Sequence, residues 1–323
     1  MSAGAPWSNG VGAGLVVLAA VCFATLGPVS RFAFAAGVDE LTLVTWRAGI
    51  GGLLVAGTAL VLSRLGQVVT RPLRDIPWRH RLMNVAAGLI NAALNLAVLM
   101  AISRISIALT LLVFYTYPAL VALVATAFFG ERLDALRWTA LGVSLFGLAL
   151  VVIGAGDVGQ LDLVGVGLAF FGALCQVVYA ISAQRGFPSV PAPQAGGVTF
   201  GVAALTYVLF AGVTGQLGVM DAPLASSAAL LPVLFAGVVG AGIPTMAWIM
   251  GIRILGAPRA AIISTLEPVV GVALAALVLA EIPTPLQVVG GACIIGAAIV
   301  VQRRPGVQAV EHEAVADGSI LPS

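Results

Sequence analysis

RAAIISTLEPVVGVALAALVLAE, from Arg259 to Glu281, is an almost unbroken apolar run that holds one internal charge, Glu267, followed at once by Pro268. About 20 apolar residues in a helix cross the ~30 Å hydrocarbon core of a bilayer, so the run predicts a membrane span with Glu267 near its midplane. An ionised carboxylate at that depth costs roughly 3 kcal/mol on insertion scales, and it must face other protein or a water-filled cavity. Pro268 has no amide hydrogen and frees the carbonyl of Ser264 one turn earlier. A carboxyl and a loose carbonyl at mid-depth suit transport, whereas a plain anchor needs neither. The competing reading is a protonated carboxyl in an interhelical hydrogen bond.

Outward from this run the same character continues. The 323 residues are 60% hydrophobic and 9% charged, which predicts an all-α membrane protein that crosses the bilayer many times. A formal charge of +2 gives no reason to expect a nucleic-acid partner. Cys22, Cys175 and Cys293 all lie in apolar runs and read as buried thiols, with no disulfide or metal site expected. No cofactor is expected either.

Hydropathy marks about ten spans, near 11–34, 41–62, 82–102, 105–129, 136–154, 163–184, 195–215, 228–252, 257–280 and 285–302. The tail, 303–323, carries Glu311, Glu313 and Asp317 with little apolar content and is expected to be disordered. If the N-terminus is cytoplasmic, twelve Arg fall in the inside loops and at the inner chain end: 64, 71, 74, 79, 81, 132, 137, 185, 253, 259, 303 and 304. Arg104 alone falls outside, with Asp39, Glu40, Asp157, Asp162 and Asp221. The positive-inside rule then puts both termini in the cytoplasm.

The chain also repeats itself. VGAGLVVLAAVC (Val11–Cys22) resembles VGVGLAFFGALC (Val164–Cys175), and Met100, Ile102, Pro118 and Glu131 recur at a constant offset as Met250, Ile252, Pro268 and Glu281. After a one-residue slip, Gly142 and Gly147 correspond to Gly291 and Gly296. Residues 1–155 and 156–302 thus form two five-span repeats. Five crossings is an odd number, so the halves run in opposite senses. Inverted repeats of this kind hold substrate at the midplane between halves and work by alternating access.

The polar residues inside the spans are the candidate binding groups. Tyr117-Pro118 is the repeat equivalent of Glu267-Pro268, and Tyr115 lies beside it. Asn91 and Asn95 share one helix face, as do Gln176 and Tyr179. Trp248 follows the helix-weakening stretch GVVGAGIPT, which contains Pro244. Arg47 lies too deep to snorkel and needs an acid, carbonyls or an anionic substrate group; Arg31 is shallow enough to reach the outer surface. Pro28, Pro118, Pro244 and Pro268 are candidate hinges. Glu131 and Glu281 sit where apolar runs stop and read as helix-end or ion-pair residues. Any of the uncharged groups could instead be interhelical glue.

Pro-x12-Glu followed by Gly-x4-Gly, present in both halves, with Arg47 early in span two and Arg31 late in span one, resembles the drug/metabolite transporter superfamily. The similarity is to permeases with two tandem EamA domains and covers about residues 11–302. The chain departs from it at Ala280, where Gly usually precedes the Glu. The resemblance implies a ten-helix bacterial inner-membrane carrier of small molecules, often exporting amino acids or other metabolites and frequently driven by the proton gradient. Glu267 is then the natural proton-coupling group, and a homodimer is compatible. An intramembrane enzyme is the alternative, but the histidines, His80 and His312, lie outside the spans and no acidic pair could hold a metal. A P-loop is missing too. A passive channel is the other alternative, and a midplane Glu suits a proton-coupled carrier better.

Overall fold

The computed structural model describes residues 9–66, 70–102, 104–105, 107–130, 134–154, 162–279 and 282–303. Glu131, Arg132 and Glu281, and all of the expected tail beyond Arg303, lie outside them. Within the described residues the secondary structure is helical, without strands: α1 (Asn9–Ala24), α2 (Leu26–Ala35), α3 (Glu40–Arg64), α4 (Trp78–Ile102), α5 (Ile107–Phe114), α6 (Tyr117–Phe129) and α7 (Ala135–Gly154) form the first half. The second half comprises α8 (Leu163–Ile181), α9 (Ala192–Thr214), α10 (Ser227–Gly237), α11 (Ile243–Leu255), α12 (Ala257–Ser264), α13 (Leu266–Leu279) and α14 (Pro285–Arg303). Nine stretches among the described residues are long and apolar enough to cross a bilayer, and Pro285–Val300 is a shorter apolar helix.

Spans expected as single helices are divided. The first breaks at Thr25, the fourth at Tyr115-Thr116 and the ninth at Thr265, and the eighth contains a π-helical turn, Val238–Gly242. The three breaks share one device. The amides of Thr25, Thr116 and Thr265 reach back only three residues, each 3.2 Å from the carbonyl of Cys22, Val113 and Ile262 respectively. Each Thr hydroxyl donates to that same carbonyl, at 2.7, 2.7 and 2.6 Å. The tightened turn redirects the chain, and Pro28, Pro118 or Pro268 follows within three residues with no amide to restore the ladder.

Packing follows an exchange of halves. α1 lies on α11, and the pairing that corresponds to it, α8 on α4, is also made. α3 packs on α9, α6 on α12 and α7 on α14, each pair joining equivalent spans. The backbones of α7 and α14 come close together: a Cβ on Gly147 would stand 2.6 Å from the Gly290 carbonyl oxygen. Gly142 and Gly296, which the repeat also singles out, face open space instead.

The two ends of the bundle are tied separately. At one end Arg104 pairs with Asp162 at 3.2 Å, and Trp46 donates to the Met220 carbonyl at 2.7 Å. Asp162 caps α8; the Val164 amide, then Arg104, hold its carboxyl below the usual carboxylate range. At the other end Arg253 donates to the carbonyls of Ala183 (3.2 Å) and Val190 (2.9 Å), and Gln194 bonds the backbone of Arg71. Arg137 and Arg259, expected as loop cations, are buried, at 8% and 6% exposure. The reason is that α7 and α12 begin just before them and carry both into the bundle.

Candidate functional site

Arg47, Asn91, Asn95, Tyr115, Tyr117, Gln176, Tyr179, Trp248 and Glu267 all line one cavity of about 230 Å³ at the centre of the bundle. It is bounded by both halves, and the broken helices reach it at their breaks. Of the four prolines, Pro118 and Pro244 are buried in the first turns of α6 and α11, and Pro28 lies buried in α2. Pro268 is half-buried directly after Glu267.

One wall is basic. α3 carries Arg47 inward, and its Nη2 donates to the Asn95 Oδ1 at 3.4 Å. Asn95 is itself oriented from α4, where its Nδ2 donates to the Asn91 carbonyl at 2.8 Å. The four-residue spacing of the two Asn on one helix produces that bond. Tyr207 of α9 stands beside Arg47 and Asn95.

A second wall is acidic and aromatic. Glu267 occupies the first turn of α13, where the free amides at a helix N-terminus favour a negative charge. The Tyr115 hydroxyl lies close to its carboxyl, without a hydrogen bond of good geometry. Phe114, Tyr115 and Tyr117 form a ring cluster with centroids 5.4 to 5.8 Å apart. Arg47 and Glu267 make no ion pair with each other, yet each lies within the other's field. Both line the one cavity, each with capacity left for a ligand.

The third wall is flat. The Tyr179 and Trp248 rings stack with centroids 5.3 Å apart and planes 3° from parallel. The Tyr179 and Thr199 hydroxyls lie close together, but both are buried without a hydrogen bond of good geometry. Orphaned buried hydroxyls are costly, by roughly 1–3 kcal/mol each, and groups of this kind await a polar partner. Among the described residues no group of three or more His, Cys, Asp or Glu is placed to hold a metal ion.

Burial along the two broken spans that reach the cavity is uneven. Every residue of α12, on the side of Arg253, is buried, whereas no described side chain of α13 is. The same holds in the equivalent span: α6 buries Tyr117, Pro118, Val121, Ala122 and Ala125, and the described part of α5 buries only Thr110. In these two broken spans, therefore, the half toward the Arg-rich end is more buried than the half toward Arg104 and Asp162.

Sequence reasoning missed Thr199, the Ser264 side chain, Phe23, Leu26 and Phe114 as lining residues. Thr199 is one of several hydroxyls in its span, with Thr206, Tyr207 and Thr214, and no repeat partner marks it. The Phe and Leu residues carry no signal in a chain this apolar. Ser264 could have been found, since its carbonyl was already marked by Pro268.

The profile of the EamA-like transporter family matches twice, at residues 10–153 and 163–303. The chain is 29% identical over 255 residues to an uncharacterized transporter, sll1319, of Synechocystis, covering 77% of this chain and 73% of that one. It is 24% identical over 250 residues to an uncharacterized transporter, YdfC, of Bacillus subtilis, covering 76% and 77%. A solved crystal structure superposes with a TM-score of 0.76 at 22% identity, over 90% of this chain and 98% of the other, a likeness of fold. Two matched repeats that span nearly all of the described bundle identify a multi-pass membrane protein: the chain belongs to the EamA-like transporter family.

Proposed function

We propose that this protein is a secondary transporter that carries a small, amino-acid-like metabolite across the bacterial cytoplasmic membrane by alternating access, with proton coupling through Glu267. Residues 1–155 and 156–302 act as its two repeat units, and both termini face the cytoplasm. The observation that carries this reading is the central cavity with Arg47 on one wall and Glu267 on another. A guanidinium fork suits a carboxylate and a carboxyl suits an ammonium, so the two walls match a zwitterion. The Tyr179–Trp248 face offers a seat for a flat or apolar substituent. At about 230 Å³ the cavity is below the ~300–1,000 Å³ of pockets for drug-sized ligands, which favours a metabolite. The breaks at Thr116 and Thr265 give the two halves equivalent bending points beside the cavity, as alternating access requires. Glu267, within reach of Tyr115, can take a proton facing one side and release it facing the other.

The test is flux into proteoliposomes for a panel of radiolabelled amino acids, with and without an imposed pH gradient. The expected result is accumulation of at least one zwitterion that collapses when a protonophore is added. Flux no faster than in protein-free liposomes, for every member and under every gradient, would overturn the proposal.

A further inference from the structure

A second cavity, of about 650 Å³, lies at the Arg-rich end between α3, α4 and α9, away from the central one. Ala59 and Leu60 of α3, Val85 of α4 and Val198 of α9 supply apolar walls, and Arg81 stands in the first turn of α4 among them. Asn84 lies one turn further along the same face. It is 2% exposed, and its Oδ1 has no hydrogen bond. Among the described residues Arg81 makes no ion pair, while nearby Arg74 is paired with Asp75 at 3.6 Å. An apolar groove in the side of a membrane bundle is filled by hydrocarbon, and a basic residue at its mouth selects the head group. The buried Asn84 oxygen adds a requirement, because it calls for a donor next to the anion.

We infer that this groove binds an anionic phospholipid whose head group carries hydroxyls, of the phosphatidylglycerol kind. Its phosphate pairs with Arg81, a head-group hydroxyl donates to Asn84 Oδ1, and one acyl chain lies along Leu60, Val85 and Val198. A zwitterionic choline lipid fits less well, because it has no hydroxyl for Asn84 and brings a cation toward Arg81.

The experiment titrates the full-length protein in neutral detergent with phosphatidylglycerol or phosphatidylcholine and follows both lipid adducts by native mass spectrometry and thermal unfolding. Wild type is expected to retain phosphatidylglycerol about fivefold better than phosphatidylcholine, the scale of one basic residue at a membrane surface. Arg81→Gln, which removes the phosphate partner, and Val85→Trp, which fills the groove, should each abolish that preference. Arg74→Gln, on the exposed loop, should keep it. Retention of the preference by either of the first two variants overturns the site. Equal loss in Arg74→Gln also overturns it, in favour of diffuse attraction to the basic loop. Full protection by soluble glycerol phosphate would point to an aqueous anion site and overturn the lipid assignment.

Discussion

Glu267 is the residue on which the proposed mechanism turns. Glu267→Gln keeps the shape and the contact with Tyr115 but removes the charge. The variant should insert and express, yet lose concentrative transport by at least about tenfold, the effect of ~1.4 kcal/mol. Retained substrate exchange would assign the proton role, and lost binding would assign the ammonium role. Transport like wild type between roughly pH 5.5 and 8 would reduce Glu267 to an interhelical hydrogen-bond donor. Arg47→Leu should cost a similar factor, and Arg47→Lys should restore flux only in part, because an ammonium lacks the planar fork. Measured uptake at matched expression decides, and full activity of Arg47→Leu would remove it from the site. Much of this cavity was legible in the sequence. In so apolar a chain each polar side chain at mid-depth stands out, and the repeat tied Tyr117 to Glu267. The Thr199 hydroxyl and the Phe114 ring escaped because neither polarity nor repetition distinguished them.

Among the elements, the breaks and the glycine contact separate what pattern conveys from what only packing decides. Hydropathy placed ten spans close to the observed helices, and the prolines marked where helices weaken. It did not reveal that the turn is made before the proline, by a threonine bonded twice to one carbonyl. At Thr265 the hydroxyl also meets Ser144 of α7 at 2.7 Å, which ties the break to the neighbouring span. The repeat offered Gly142, Gly147, Gly291 and Gly296 as equals, but steric space at α7–α14 distinguishes them. Gly147→Leu should drive a side chain into the Gly290 carbonyl and lower stability by about 1–3 kcal/mol. Gly142→Leu, with nothing within 4 Å of its Cβ, should be nearly neutral. Thermal unfolding of the two variants in the same detergent checks the contrast, and equal shifts would refute the packing argument.

For the molecule as a whole, uneven burial of the broken spans and Arg placement make a joint prediction about access. The proposed topology puts the Arg-rich end inside, and the less buried halves of those spans, toward Arg104 and Asp162, outside. An engineered Val272→Cys, in half-buried α13, should react with an impermeant thiol reagent from outside intact cells. Ile263→Cys, fully buried in α12, and a Cys in the exposed 71–75 loop should not. Background labelling should be low, since Cys22 and Cys175 are buried and Cys293 is partly so. Ready labelling of the loop from outside would reverse the orientation, and labelling of Ile263→Cys would reverse the more buried side.

The parallel rings of Tyr179 and Trp248 also give the molecule an optical handle. Trp248 is 6% exposed in the central cavity, whereas Trp78, at 65%, and Trp138, at 37%, stand on the outer surface. With Trp248 as the sole indole, emission would come from the cavity wall itself, excited in part through the stacked phenol. A solute entering between Arg47 and Glu267 would change the polarity beside that indole. Its arrival would then appear as a change in colour and brightness, without a label and before any crossing of the membrane.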